Sequence, residues 1–310
     1  MYNIIGKRFK FFALSGFLVL ISIIALAVFG LKPGIEFSSG SLVTLSFEQD
    51  VDISDLRQEL ANIGYPGAII QTTSTGDFQI RTATLTDDAR DELRQALTVR
   101  FGAYTESGST SIESTVSRQT VRTVIIAMAV AAFGIILYIT YAFRKMPNPV
   151  RYGTCGITAM AFDVIMTIGI FSLIAGVLNW EINLMFITGL LAVIGYSIND
   201  KIVVFDRIRE NTRRMSGVDF ATVVNRSIVE TITRSLITSI TTLFTIIALM
   251  LFVGSTIMNF LVALLIGIMA GTYSSIMVAT PLLVVWQNKE WRRLLPWLKK
   301  PASEPESHWA

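Results

Sequence analysis

Six stretches of the chain are long, nearly unbroken runs of apolar positions: 11–31, 121–142, 152–175, 184–205, 229–253 and 257–286. A helix needs about 20 mainly apolar residues to cross the hydrocarbon core of a bilayer, so each run predicts a spanning helix. Pro281 near the end of the last one predicts a kink or break there. Between the first two runs, 32–120 has soluble patterning. Positions 42–47 largely alternate and are β-prone, which predicts a strand. Over 52–64 acidic residues open a helix, Leu56, Leu60 and Ile63 share a face, and Gly64 closes it. Two short β-rich runs follow at 68–73 and 78–84, then a helix over 86–101 that ends at Gly102, then an extended run within 110–117. The order β-α-β-β-α-β is that of a ferredoxin-like unit. The predicted fold is a polytopic α-helical membrane protein, six spans with one small α+β extracytoplasmic domain. Its divisions are 1–31, 32–120, 121–287 and 288–310.

Composition agrees with the pattern. Hydrophobic residues make up 52% of the chain and charged residues only 16%, and the mean hydropathy is +0.57. A soluble domain carries about a quarter of its residues charged. The placement of Lys and Arg sets orientation. They cluster before the first run (Lys7, Arg8, Lys10), between the second and third (Arg144, Lys145, Arg151), between the fourth and fifth (Arg207, Arg209, Arg213, Arg214, Arg226) and after the sixth (Lys289, Arg292, Arg293, Lys299, Lys300). The short segments at 179–181 and 254–256 have none. Both termini are therefore expected in the cytoplasm and 32–120 outside. The first run has a basic start like a signal peptide, but its apolar core is too long and no small-x-small site follows, so it reads as a retained span.

The chemistry available is narrow. Cys155 is the one cysteine and His308, near the end, the one histidine, so no Cys- or His-based metal or haem site is expected. No cofactor is expected. The net charge of +3 follows from topology, and no separate basic domain points to nucleic acid. An enzyme is not expected, since there is no His base, no Gly-x-Ser-x-Gly elbow and no metal motif.

What the spans carry at a cost is more informative. A charge at mid-span costs about 2.5–3.5 kcal/mol on insertion scales, so it faces a partner or water. Three such residues stand out: Asp163 in the third run, Asp200 in the fourth and Arg234 in the fifth. Asp200 lies five residues before Phe205 and Arg234 five after Val229, which puts both at a similar level in the inner half of the bilayer. They are expected to pair directly or through a water. The plainer alternative has both marking the membrane boundary and snorkelling, with Lys201 and Asp206 nearby and Glu230 pairing with Arg234 along one helix face. Asp163 lies deeper and calls for a buried partner. Around these charges small and hydroxyl residues gather, notably Ser197, Asn199, Ser235, Thr238 and Ser239. They suit close helix packing, and equally a hydrated ion path.

The stretch containing Gly195-Tyr196-Ser197-Ile198-Asn199-Asp200-Lys201, continuing through Phe205-Asp206-Arg207 to Asn211, resembles the fourth-span signature of SecF in the SecD/SecF family, within the resistance-nodulation-division superfamily. Asn225-Arg226-Ser227-Ile228, Thr233-Arg234-Ser235 and Thr241-Thr242-Leu243 resemble its fifth-span block, and Gly34-Ile35-Glu36-Phe37-Ser38-Ser39-Gly40 its Gly-x-Asp/Glu-Phe-x-Gly-Gly element. The likeness runs in order through the chain. It implies an auxiliary subunit of protein export that works beside a SecD-type partner and the SecYEG translocon. It further implies use of the proton-motive force on a translocating unfolded polypeptide. Asp200 and Arg234 match the proton-relay positions, and Asp163 the acidic position of the third span. Two departures stand out. Phe162 occupies a place where the family often has His, and Ser39 replaces the first Gly of the pair, which argues against a strict backbone role for that glycine. The rivals are an ion-coupled small-molecule or lipid exporter of the same superfamily and a passive assembly factor. A single half-unit without an internal repeat of the Asp200 motif speaks against the exporter. Whether the ion is H+ or Na+ is open.

Overall fold

The computed structural model describes residues 3–73, 76–142, 144, 148–252 and 257–290. The predicted loop at 254–256, Val253, Lys145, and the tail with Arg292, Arg293, Lys299, Lys300 and His308 lie outside the described residues.

Among the described residues, six helical segments are long and apolar enough to cross a membrane. The first is α1, Arg8–Phe29, entered through a 3-10 turn at Ile5–Lys7. After the short α2, Ile35–Ser38, comes the α+β unit: β1 Gly40–Phe47, α3 Ile53–Asn62, β2 Ile69–Thr72, β3 Phe78–Thr82, α4 Asp87–Phe101 and β4 Tyr104–Ile112. The remaining spans are α5 Ser114–Ala142, α6 Pro149–Leu178, α7 Leu184–Arg214, α8 Phe220–Phe252, and α9 Met258–Ser274, which runs on through a π-helical turn at Ser275–Ala279 into α10, Thr280–Gln287.

The sheet is antiparallel in the order β2-β3-β1-β4, the ferredoxin-like arrangement expected from the element order. Alternation buries Val43 and Leu45 of β1 and Phe78 and Ile80 of β3 against Leu56 and Leu60 of α3 and Leu93 and Leu97 of α4. Asp52 caps α3 through Ser54 N at 2.7 Å, and Thr86 caps α4. One strand is displaced from its expected place. β4 occupies Tyr104–Ile112, not 110–117, and Ser114–Ser117 already belong to α5. Its middle is polar and two thirds of its positions are exposed, so the strand owes its existence to pairing with β1, with a register shift between Thr44 and Leu45.

In the bundle, α6, α7, α9 and the π turn form the interior, and α5 lies at the margin with a largely exposed apolar face. Glycines set the closest crossings. A methyl on Gly169 of α6 would collide with the Ser22 backbone of α1, and one on Gly267 of α9 with Val193 of α7. Several helices outrun their apolar runs. α7 continues to Arg214 because Ile208 and Asn211 stay buried on one face while Asp206–Arg209 and Glu210–Arg214 pair along the other.

The sheet unit is joined to one end of the bundle through the α6–α7 turn. Gly34 N donates to Ile182 O at 2.7 Å and Ile182 N to Lys32 O at 2.8 Å, a short parallel bridge. Arg81 of β3 donates to Pro33 O at 2.8 Å and pairs with Glu181 at 2.7 Å. Gln71 of β2 donates to Asn179 O, and Asn259, at the start of α9, to Glu181 O at 2.8 Å. The same turn caps α7, where the Asn183 side chain accepts from Phe186 N.

Candidate functional site

Halfway along α6, Asp163 is 1% exposed, and facing it from α7 is Lys201, 2% exposed. Ser197 and Lys201 stand one turn apart, so both side chains leave α7 on the face toward α6. The Lys201 ammonium donates to Asp163 Oδ2 at 2.6 Å and to the Ser197 hydroxyl, which itself donates to the same carboxylate oxygen. Asp163 Oδ1 is buried and has no hydrogen-bond partner among the described residues. Two burials of charge thus compensate each other, and removing either partner from such a pair costs about 3–5 kcal/mol. Phe162, where an imidazole might have stood, is buried against the ring of Tyr273, whose hydroxyl meets Ser15 at 3.0 Å.

Asp200, the neighbour of Lys201, leaves α7 in another direction and is half-buried. Its Oδ1 accepts from Ser235 of α8 at 2.5 Å and its Oδ2 from Ser275 of the π turn. One turn further on, a second polar layer repeats the arrangement. Ser239 and Thr272 hydroxyls meet at 2.6 Å, and Tyr196 reaches Ser239 at 3.5 Å. Each of the three helices therefore supplies one member to each layer. The π turn arises just before Pro281, which has no N–H for the helix ladder, and such turns are frequent at functional sites.

Arg234 is not paired with Asp200. It follows from helix geometry: Ser235 points into the bundle, and the preceding residue, about 100° round α8, is turned outward and exposed. Among the described residues Arg234 makes no ion pair. Glu230, the partner of the plainer alternative, instead accepts from Arg207 and Asn211 at 2.7 Å and from Arg226 at 3.0 Å. Of the polar positions picked from sequence, Ser235 reaches Asp200 directly and Ser239 lies in the next layer. Ser197 serves Asp163, Asn199 is exposed, and the exposed Thr238 donates to the Arg234 carbonyl of its own helix. Thr241, Thr242 and Thr245 are likewise spent on carbonyls four residues back, which is packing chemistry.

Two members of the site were not anticipated. In sequence Lys201 lends weight only to the boundary alternative, although its spacing from Ser197 and the depth of Asp163 signal an inward role. Ser275 carries no signal in sequence, because residues 258–287 hold no charge. Ser39 also departs from expectation. Its φ of 62° and ψ of 168° are a glycine's conformation, so the backbone requirement at that place persists although the side chain is serine. Gly40 follows at φ 129°, and a Cβ there would strike Thr82 O.

A family model described as the SecD/SecF GG motif matches residues 24–51, and one described as protein export membrane protein SecD/SecF, C-terminal, matches residues 94–289. The protein translocase subunit SecF of Thermobaculum terrenum is 42% identical over 306 residues, spanning 95% of this chain and 96% of its own. That of Anaerolinea thermophila is 38% identical, spanning 98% and 100%. Among solved structures, SecDF from Thermus thermophilus, described as a translocon-associated membrane protein, superposes with a TM-score of 0.83 at 34% identity, covering 93% of this chain and 39% of that one. SecDF in a super-membrane-facing form superposes with a TM-score of 0.64 at 32% identity. The chain is a multi-pass membrane protein of the SecD/SecF protein-export family and belongs to its SecF branch.

Proposed function

We propose that this chain is the SecF-type half of a transducer in the bacterial cytoplasmic membrane. It works with a SecD-type subunit at the SecYEG translocon and uses the proton-motive force to drive late translocation and release of an unfolded polypeptide. Both termini lie in the cytoplasm and the sheet unit lies outside. The observation that carries this reading is the setting of Asp200. A carboxylate held by two hydroxyls, with no cation bonded to it among the described residues, can gain and lose a proton without stranding a buried charge. Asp163, locked to Lys201, cannot.

Asp200 is then the group that cycles. A small displacement of α8 or of the π turn changes the hydroxyls that surround it. Moving one charge through the membrane potential supplies about 2.3 kcal/mol per 100 mV, enough to bias a two-state movement. Both helices that meet at Asp200 and Ser275 begin at the joint with the sheet unit. From Asn183 to Asp200, α7 is a rigid rod of about 25 Å. Tilting it shifts the turn to which Arg81 and Gln71 are bound, and hence the sheet unit that holds the polypeptide. Arg234, exposed in a span, would complete the relay across the interface with the SecD-type partner, which supplies a carboxylate and removes the cost of leaving a guanidinium in lipid.

The test is Asp200→Asn in a complex that still assembles at normal level, assayed for gradient-dependent export in inverted membrane vesicles. Loss of the gradient's contribution with the gradient-independent portion intact is expected. Export that still responds to the gradient would defeat the reading.

A further inference from the structure

The surroundings of the Lys201 ammonium are those of a small monovalent cation. It is ringed by a carboxylate oxygen of Asp163 at 2.6 Å, the Ser197 hydroxyl, and the Ser197 carbonyl at 3.5 Å. A further carboxylate oxygen, Asp163 Oδ1, is buried beside them and has no hydrogen-bond donor among the described residues. Carboxylate, hydroxyl and carbonyl oxygens are the ligands a hard cation prefers. Among the described residues no other ion pair involves Asp163 or Lys201. From α7, Asp200 turns to Ser235 and Ser275; from α9, Tyr273 bonds Ser15; from α6, Phe162 and Thr167 flank the carboxylate, the latter donating to the Asp163 backbone. Gly271 of α9 packs against Ser197, where a Cβ would fall 3.2 Å from the serine Cβ.

We infer that the oxygens of Asp163 and Ser197 form a monovalent-cation site kept filled by the Lys201 ammonium, and that this tethered occupant closes the site to Na+. Lys201 is in this sense a specificity-determining residue. The lysine cannot diffuse away, so the anion at Asp163 stays neutralised whatever ions the membrane separates, and only Asp200 is left to exchange an ion with water. The inference rests on the proposed relay for its meaning in ion coupling, but the occupancy of the site is a matter of binding and is read separately.

The experiment uses the full chain purified with its SecD-type partner. Its thermal unfolding midpoint is compared in NaCl and in choline chloride at equal ionic strength, in mildly alkaline buffer so that protons do not take the vacated place. The wild-type complex is expected to unfold at the same temperature in both salts. Lys201→Met fills similar volume without charge, and should show a saturable, Na+-specific rise of several degrees. The double variant Lys201→Met with Asp163→Asn should lose that rise, since a ligand that binds only the folded state stabilises it by mass action. An assembled Lys201→Met complex with no Na+-specific rise would overturn the inference. If that variant fails to assemble, Lys201→Gln carries the same comparison. The wild-type arm also stands alone: Na+-specific stabilisation that Asp163→Asn removes would show the site open despite the lysine. Loss of gradient-driven export in Asp200→Asn bears on the relay and leaves this result untouched.

Discussion

Asp163 is paired with Lys201 and Asp200 with two hydroxyls, and these partners give the two carboxylates opposite tolerance to losing charge. Asp163→Asn leaves the Lys201 ammonium buried with no anion, and the expected loss is about 3–5 kcal/mol of stability. Asp200→Asn keeps Ser235 and Ser275 as partners, because an amide both donates and accepts, and is expected to cost about 1 kcal/mol or less. Thermal unfolding midpoints of the two variants in the purified complex check the contrast, and equal losses would mean that the lysine is satisfied by something else. Ser39 offers a gain. With φ of 62° and ψ of 168° it occupies a region that only glycine enters without strain, so Ser39→Gly should stabilise by about 1 kcal/mol after the added freedom of the unfolded chain is subtracted. At this scale the sequence revealed which residues were costly but not where they pointed. Asp200 and Arg234 share a depth, and depth is readable from span ends. The facing of adjacent residues on α8 depends on which side Ser235 packs, and that is decided by α7 and α9.

Among elements, the six spans are legible because hydropathy marks them directly, whereas their ends are not. α7 and α8 project past the apolar runs as paired, half-polar helices, and there the signal is amphipathic packing of Ile208 and Asn211 against Val224 and Ser227 instead of bulk hydrophobicity. β4 was misplaced for a related reason: between Tyr104 and Ile112 only polar residues and glycine occur, so its strand character comes from β1, a partner far away in sequence. The helix seams show the same dependence on distant partners. On α6, Gly169 lets α1 approach until Ser22 touches the backbone, and Ser172 then donates to Gly30 O at 2.5 Å. Gly169→Ala puts a methyl where backbone must move, and backbone yields less readily than a side-chain tip. The expected cost is about 1–3 kcal/mol, seen as a lowered unfolding midpoint. Gly16→Ala, with open space around it, serves as the control and should be near neutral or slightly favourable.

For the molecule as a whole, the question is what holds the sheet unit to the bundle and whether that hold can change. The two-stranded bridge at Pro33 and Ile182 is backbone and permanent in character, but the Arg81–Glu181 pair is titratable. Burial raises the Glu181 pKa above the ordinary carboxylate value; the Arg81 guanidinium works the other way without cancelling it, Glu36 adds to the rise and Lys32 opposes it. A carboxylate raised on docking binds its proton more tightly docked than free. The docked state therefore gains stability as pH falls from above the raised pKa toward about 4.3, the free value, and gives it up as pH rises through that window. Removing Arg81 takes away the main opposing influence, so Arg81→Ala should raise the pKa further, weaken docking at neutral pH and recover it in acid. Glu181→Gln, which has no proton to bind, should dock with no pH dependence in this range. A disulfide between cysteines placed at Gln71 and Asn179, which touch across the joint, reports docking, since the native Cys155 is buried and remote from it. Glu181→Gln carries the same thiol titration, so with the yield at each pH read relative to that variant, Arg81→Ala is expected to show a relative yield that climbs as pH falls. A relative yield in Arg81→Ala that stays flat or falls with acid would mean that relief of the buried Glu181 charge does not govern how the sheet unit sits on the membrane helices.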